Sequence, residues 1–153
     1  MNMKEILRES CVLADLKGGT KKEILTELTA SLKEAGFVAD AEEAVSVILE
    51  REKLGSTGIG DGIAIPHGKL AGLDEMMIAF GRSREGIGFE AMDGKPVHLI
   101  SLLIAPENSA GLHLKALAKI SRMMKDERYR RALLEAKTHG DLVRIITEKD
   151  DET

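Results

Sequence analysis

The run Val97-His-Leu-Ile-Ser-Leu-Leu-Ile-Ala105 constrains this chain more than any other stretch. It is too uniformly apolar for a strand with one wet face, so it belongs inside a sheet that is covered on both sides. Asp93-Gly94 and Pro96 mark the turn that leads into it, and Pro106 stops it. Met76-Met-Ile-Ala-Phe80 reads as a second apolar strand, and Gly86-Ile-Gly-Phe89 as a short edge strand. His98, at the start of the long run, reads as a packed or rim histidine.

The covers for such a sheet are present as amphipathic helices. Thr20 and Glu23 form a capping-box pattern, Ile24, Leu25, Leu28, Leu32 and Ala35 follow helical spacing, and Gly36 stands where a C′ glycine belongs. A second helix begins after Asp40 and buries Ala44, Val45, Val47, Ile48 and Leu54 before Gly55 ends it. Beyond Pro106, Asn108 or Ser109 caps a third helix with an apolar face of Leu112, Leu114, Leu117, Ala118, Ile120 and Met124. Asp126 precedes a helix from Glu127 to Ala136, and Thr138-x-x-Asp141 caps the last one, with His139 in the linker and Lys149–Thr153 as a frayed polar tail. The order predicts an α/β layer fold, a mixed β-sheet flanked by helices on both faces, with residues 1–153 as a single domain.

Gly55-Ser-Thr-Gly-Ile-Gly-Asp-Gly-Ile-Ala-Ile-Pro-His-Gly-Lys69 lies between the second helix and the strands. Its glycines imply left-handed backbone or close approach to other chain segments. The β-prone run Ile63–Ile65 is followed by Pro66, which fixes its own φ and extends Ile65, so His67 sits at the end of a stiff segment. A histidine there has a large neutral, nucleophilic fraction near pH 7. Arg51 lies one helical turn before the loop, either paired on the surface with Glu50 or Glu52, or aimed across the loop at His67 as an oxyanion clamp. His113 falls in the first turn of the third helix, where unpaired N–H groups favour an anion.

With 22 Lys/Arg against 26 Asp/Glu, the net charge is −4 and the two signs are interspersed, which argues against nucleic-acid binding. The local run Arg128-Tyr-Arg-Arg131 reads as a solvated helix face. No apolar run nears the roughly 18 residues of a membrane span, so no membrane insertion is expected. The single Cys11 excludes an internal disulfide and suits a cytoplasmic location. Gly62 to Gly68-Lys69 has the wrong spacing for a phosphate-binding P-loop, and Gly58-Ile-Gly60-Asp-Gly62 does not match a dinucleotide motif. His67, His113 and Asp61 lack the pair spacing of a zinc site, so neither metal nor cofactor is expected.

The segment Arg51-Glu-Lys-Leu-Gly-Ser-Thr-Gly-Ile-Gly-Asp-Gly-Ile-Ala-Ile-Pro-His-Gly-Lys69 closely resembles the active-site segment of the fructose/mannitol/nitrogen-regulatory type of enzyme IIA, the phosphocarrier domains of the bacterial phosphoenolpyruvate-dependent phosphotransferase system. The resemblance runs over nearly the whole chain, weakest in the first ~20 residues. It implies that His67 becomes phosphorylated, that Arg51 contacts the phosphate, and that His113 in Gly-Leu-His113-Leu-x-x-Leu117 is the second active-site histidine. Ser56 and Thr57 stand where they could add hydroxyl donors or serve the turn. The implied donor is the histidine-containing phosphocarrier protein, docking on a shallow face that Ile59 and Ile63 help to form. Downstream, the resemblance leaves two readings: a regulatory enzyme IIA whose phosphorylation changes its binding to target proteins, or a sugar-transport component that passes phosphate to an enzyme IIB cysteine. The motif and the free-standing chain favour the nitrogen-regulatory type.

Overall fold

The computed structural model describes residues 2–152. In chain order the elements are α1 (Met3–Ile6), β1 (Leu7–Leu13), α2 (Lys21–Glu34), α3 (Ala41–Lys53), β2 (Gly58–Gly60), β3 (Ile63–Ala64), β4 (His67–Leu70), β5 (Met77–Ile87), β6 (Val97–Pro106), α4 (Ala110–Met124), α5 (Glu127–Glu135) and α6 (His139–Glu152). The sheet runs β1-β5-β6-β3-β2, with β4 also paired to β6. It is mixed: β1/β5, β3/β6 and β4/β6 are parallel, whereas β5/β6 and β2/β3 are antiparallel.

The long apolar run forms β6, with pairing partners on both sides. Alternation along the strand sends Leu99, Leu103 and Ala105 into a core with Ile120, Met123, Leu133, Leu142 and Ile146 of α4, α5 and α6. Ile100, Leu102 and Ile104 enter a second core with Ile24, Leu25, Leu28, Leu32 and Ile48 of α2 and α3. A strand dry on both faces favours apolar residues, which accounts for a composition in which His98 and Ser101 are the polar members.

Helix boundaries follow their caps. Thr20 Oγ1 accepts from Glu23 N at 3.1 Å, while the Glu23 carboxylate reaches back to Gly19 N rather than to the cap residue itself. At the other end of α2, Gly36 has φ 86°, its N–H bonds Lys33 O, and Phe37 N bonds Leu32 O, the paired bonds of a Schellman motif. Asp40 caps α3 and Asp126 caps α5. Ser109 precedes α4, but its hydroxyl turns back to Pro106 O instead of capping the helix. His139 is the first residue of α6 rather than linker, with Nε2 2.6 Å from Glu9 O, and the helix runs on through the expected polar tail to Glu152. Thr153 lies outside the described residues.

The strands depart further from the sequence reading. Gly86–Phe89 is not a separate edge strand: Gly86 and Ile87 end β5, which lies between β1 and β6. The polar stretch Arg82–Glu85 disguised that continuity, because Arg82 is 1% exposed and two of its three guanidinium nitrogens donate to carbonyls. Its Nε donates to Ala14 O and its Nη1 to Leu133 O and Ala136 O, so it closes the C-terminal end of α5. β1 was also concealed, since Arg8, Glu9 and Ser10 interrupt its apolar pattern.

The β2–β3 connection is the two-residue turn Asp61-Gly62, both with positive φ (57° and 77°), as a tight Asp-Gly hairpin requires. Gly58 is dictated by proximity, since a Cβ there would stand 2.9 Å from Ala91 Cα. After Pro66 the chain resumes pairing with β6 as β4, so His67 begins a strand rather than ending a loop.

Leu103 pairs with His67 in register and is fully buried. Leu103→Ala should therefore lower unfolding stability by about 2–5 kcal/mol in urea titrations. A loss under 1 kcal/mol would contradict the two-sided burial of β6.

Candidate functional site

Three elements bring the expected residues together at the β4 edge of the sheet. Alternation in β4 turns Gly68 toward α3, where a Cβ would meet Val47 Cγ1 at 3.1 Å. His67 and Lys69 consequently face the opposite way, toward α4. A cleft of ≈ 410 Å³ opens here, lined by Val47 and Arg51 of α3, His67 to Lys69 of β4, and His113, Leu114 and Leu117 of α4.

The two histidine rings stand edge to face, with centroids 5.2 Å apart and planes at 76°. His67 is half-buried, and its Nδ1 lies 3.0 Å from the Ile65 carbonyl oxygen. A carbonyl accepts only, so Nδ1 carries the proton and Nε2 keeps the lone pair. Burial depresses the His67 pKa below the usual histidine value; the Ile65 carbonyl opposes this, and the Arg51 guanidinium adds to the depression. His113 is 6% exposed, and its Nε2 has no hydrogen-bond partner among the described residues. Its pKa is also lowered, first by burial and then by His67 and Lys69. Both rings are thus held neutral near pH 7.

Arg51 is paired with neither Glu50 nor Glu52. Glu50 takes Lys53, and Glu52 is buried among other donors, while Arg51 Nη1 donates to Gly55 O at 2.9 Å. One guanidinium edge therefore steadies the start of the glycine loop, and the side chain borders the cleft.

The Ser56 and Thr57 hydroxyls are turned inward. Ser56 Oγ donates to Phe89 O at 2.6 Å, and Thr57, 6% exposed, gives its hydroxyl to Glu52. Each satisfies a polar group that the turn would otherwise bury unpaired. Ile63 is likewise buried in the core and offers no surface, whereas Ile59 is exposed.

Reading the sequence missed Lys69 and Glu52. Lys69 needed recognition of β4, after which its spacing of two from His67 places both on one face. Glu52 looked like a surface residue of α3, and its burial depends on Lys21, 31 positions earlier. Among the described residues, no group of three or more His, Cys, Asp or Glu stands where it could hold a metal ion, and no helix is long and apolar enough to cross a membrane.

Comparison with known proteins identifies the family of the chain. Residues 5–149 match the family model for the phosphoenolpyruvate-dependent sugar phosphotransferase system, EIIA 2. The chain is 45% identical over 128 residues to the nitrogen regulatory protein of Bradyrhizobium diazoefficiens, covering 83% of this chain and 82% of that protein. It is 37% identical over 150 residues to the PTS system fructose-specific EIIABC component of Bacillus subtilis, covering 98% of this chain but only 24% of that longer protein. The crystal structure of nitrogen regulatory protein IIA-Ntr from Neisseria meningitidis superposes with a TM-score of 0.86 at 39% identity, over 94% of this chain and 97% of that one. The match across nearly the whole chain, on a shared sheet and helix arrangement, makes this protein a member of the EIIA 2 family of the phosphotransferase system, of the nitrogen-regulatory type.

Proposed function

We propose that this protein is a phosphocarrier in which His67 Nε2 takes a phosphoryl group from the phosphohistidine of the histidine-containing phosphocarrier protein. The observation that carries this reading is the His67 Nδ1–Ile65 carbonyl bond, which leaves Nε2 as the free nucleophile in a cleft bordered by two cations. The Nε2 lone pair forms the new P–N bond as the donor's P–N bond breaks, and that bond's electron pair stays on the donor imidazole. The His67 ring becomes a phosphoimidazolium with its proton still on Nδ1, which the Ile65 carbonyl stabilises. Such in-line transfer demands positioning and charge neutralisation more than proton removal. Arg51 and Lys69 supply positive charge, and the unpartnered His113 Nε2 bonds a phosphoryl oxygen. Ser56 and Thr57 take no direct part in this scheme.

The regulatory reading, in which phosphorylation alters binding to target proteins, is supported by similarity to nitrogen regulatory proteins. A second reading, transfer to a cysteine of an enzyme IIB domain in sugar uptake, is supported by similarity to a fructose-specific component. Supplying a phosphorylated sample with a fructose-type enzyme IIB separates them: rapid loss of label to the cysteine favours transport.

Incubation with phosphoenolpyruvate, enzyme I and the phosphocarrier should add one acid-labile phosphate, and His67→Ala should abolish it. Full labelling of that variant would remove His67 as the acceptor. Arg51→Lys keeps the charge but loses the planar fork, and should slow single-turnover transfer about tenfold or more, near 1.4 kcal/mol. Wild-type rates in that variant would exclude an arginine clamp.

The depressed histidine pKa values also set a pH dependence. In the unfolded chain both histidines protonate near pH 6.5, whereas in the fold they protonate only at lower pH. Their neutral burial therefore costs nothing above about pH 6.5, and stability is lost as pH falls from there through the folded values. NMR titration should find both midpoints below 6.5, and phosphorylation of His67 should raise that of His113, because a nearby dianion favours imidazolium. Midpoints at or above 6.5 in the unphosphorylated protein would refute the buried neutral pair.

A further inference from the structure

Behind the cleft lies a carboxylate that the transfer scheme does not use. Glu52 is 7% exposed, one residue beyond Arg51 on α3. Its Oε1 accepts from Lys21 Nζ at 3.0 Å and from the Thr57 backbone N–H at 3.2 Å, and its Oε2 accepts the Thr57 hydroxyl. Lys21 comes from the first turn of α2 and also lies 4.5 Å from the centroid of the Phe89 ring. One buried carboxylate thereby joins α2, α3 and the glycine loop.

The bonds continue from there toward the histidine. The Thr57 carbonyl accepts from Ile65 N–H at 3.1 Å, and the Ile65 carbonyl is the acceptor for His67 Nδ1 at 3.0 Å. Ile65 is followed by Pro66, whose ring removes freedom on the far side of that carbonyl. Ile65 is thus held at its N–H by Thr57, and the next peptide, which carries its carbonyl, is restricted by Pro66. Thr57 in turn is gripped at both its N–H and its hydroxyl by Glu52. An apolar side chain at position 52 could fill the space but could accept neither donor, which would leave two polar groups buried and unpaired.

We infer that Glu52 is a positioning residue for His67: by fixing Thr57 it fixes the Ile65 carbonyl, which selects the Nδ1–H tautomer and presents Nε2. The inference rests on the reading of His67 as the phosphoryl acceptor. A role limited to joining α3 to the loop would affect stability alone. The positioning role also affects which ring nitrogen holds the proton, because a displaced Ile65 carbonyl loses the short, aligned bond that favours one tautomer.

The test measures ¹⁵N shifts of the His67 ring in the unphosphorylated protein at pH 8, alongside the single-turnover rate of phosphate acceptance. Wild type should show the Nδ1–H form. Glu52→Gln and Thr57→Val should each populate the Nε2–H form and slow acceptance about tenfold or more, on the scale of a displaced catalytic group. Thr57→Ser, which restores the hydroxyl, should recover both readouts. If Glu52→Gln does not fold, the Thr57→Val and Thr57→Ser pair decides, since it adds or removes one loop hydroxyl. Folded variants that keep the wild-type tautomer, or that change tautomer with no change in rate, overturn the inference. A wild-type protein that accepts no phosphate at all overturns the phosphocarrier reading instead. In that case a tautomer change in Glu52→Gln would still support the hydrogen-bond path from Glu52 to His67.

Discussion

The two-sided burial of β6 is the constraint from which the rest of the fold follows. A strand with Leu99 and Leu103 on one face and Ile100 and Leu102 on the other, all within 1% of complete burial, must have helices above and below it. Its edges must also be paired, because unpaired backbone groups at that depth cost as much as lost hydrogen bonds. β5 satisfies one edge, while β3 and β4 share the other in succession, with Pro66 between them. The break at Pro66 delivers His67 to the sheet edge. There α3 from one layer and α4 from the other both come within reach of it, and the cleft is where the two helix layers meet the end of the sheet.

Charge inside this frame is placed where the backbone needs it. Arg82 crosses the core, where carbonyls of the loop after β1 and of the C-terminal end of α5 accept from its Nε and Nη1, and no carboxylate among the described residues is bonded to it. Burial lowers its pKa, yet guanidinium ionises so far above neutrality that the charge persists. Glu52 is the complementary case, a buried acceptor surrounded by donors. Breaking such a buried set by removing one partner is commonly worth about 3–5 kcal/mol, far more than an exposed pair such as Lys53–Glu50. Around the cleft, the free charge is positive and the two histidines are neutral. An anionic group arriving there meets attraction without having to displace a bound carboxylate.

Much of this was legible in the amino-acid sequence, and the legible parts share a physical character. Local rules act within a turn or two of helix: the Thr20 and Asp40 caps, the Gly36 terminus, the Asp93-Gly94 turn and the uniform hydrophobicity of β6 each announced themselves. The glycine-rich segment with Pro66-His67 likewise marked the place of the site, because its backbone demands and its nucleophile are contiguous. The sequence by itself therefore determined the layered α/β class, the central strand, the helix ends marked by Thr20, Gly36, Asp40 and Asp126, and the candidate residues His67, Arg51 and His113. Tertiary structure alone decided whatever depends on partners distant along the chain. β1 and the second half of β5 carry charged residues that read as surface until their neighbours satisfy or expose them. The Ser56 and Thr57 hydroxyls look available until Phe89 and Glu52 claim them, and Glu52 looks exposed until Lys21 arrives from another helix. The 5.2 Å approach of two histidines 46 positions apart is of the same kind. Periodicity reports which face of an element is dry, but hydrogen bonds between elements are fixed by packing, and only the folded chain brings their donors and acceptors together.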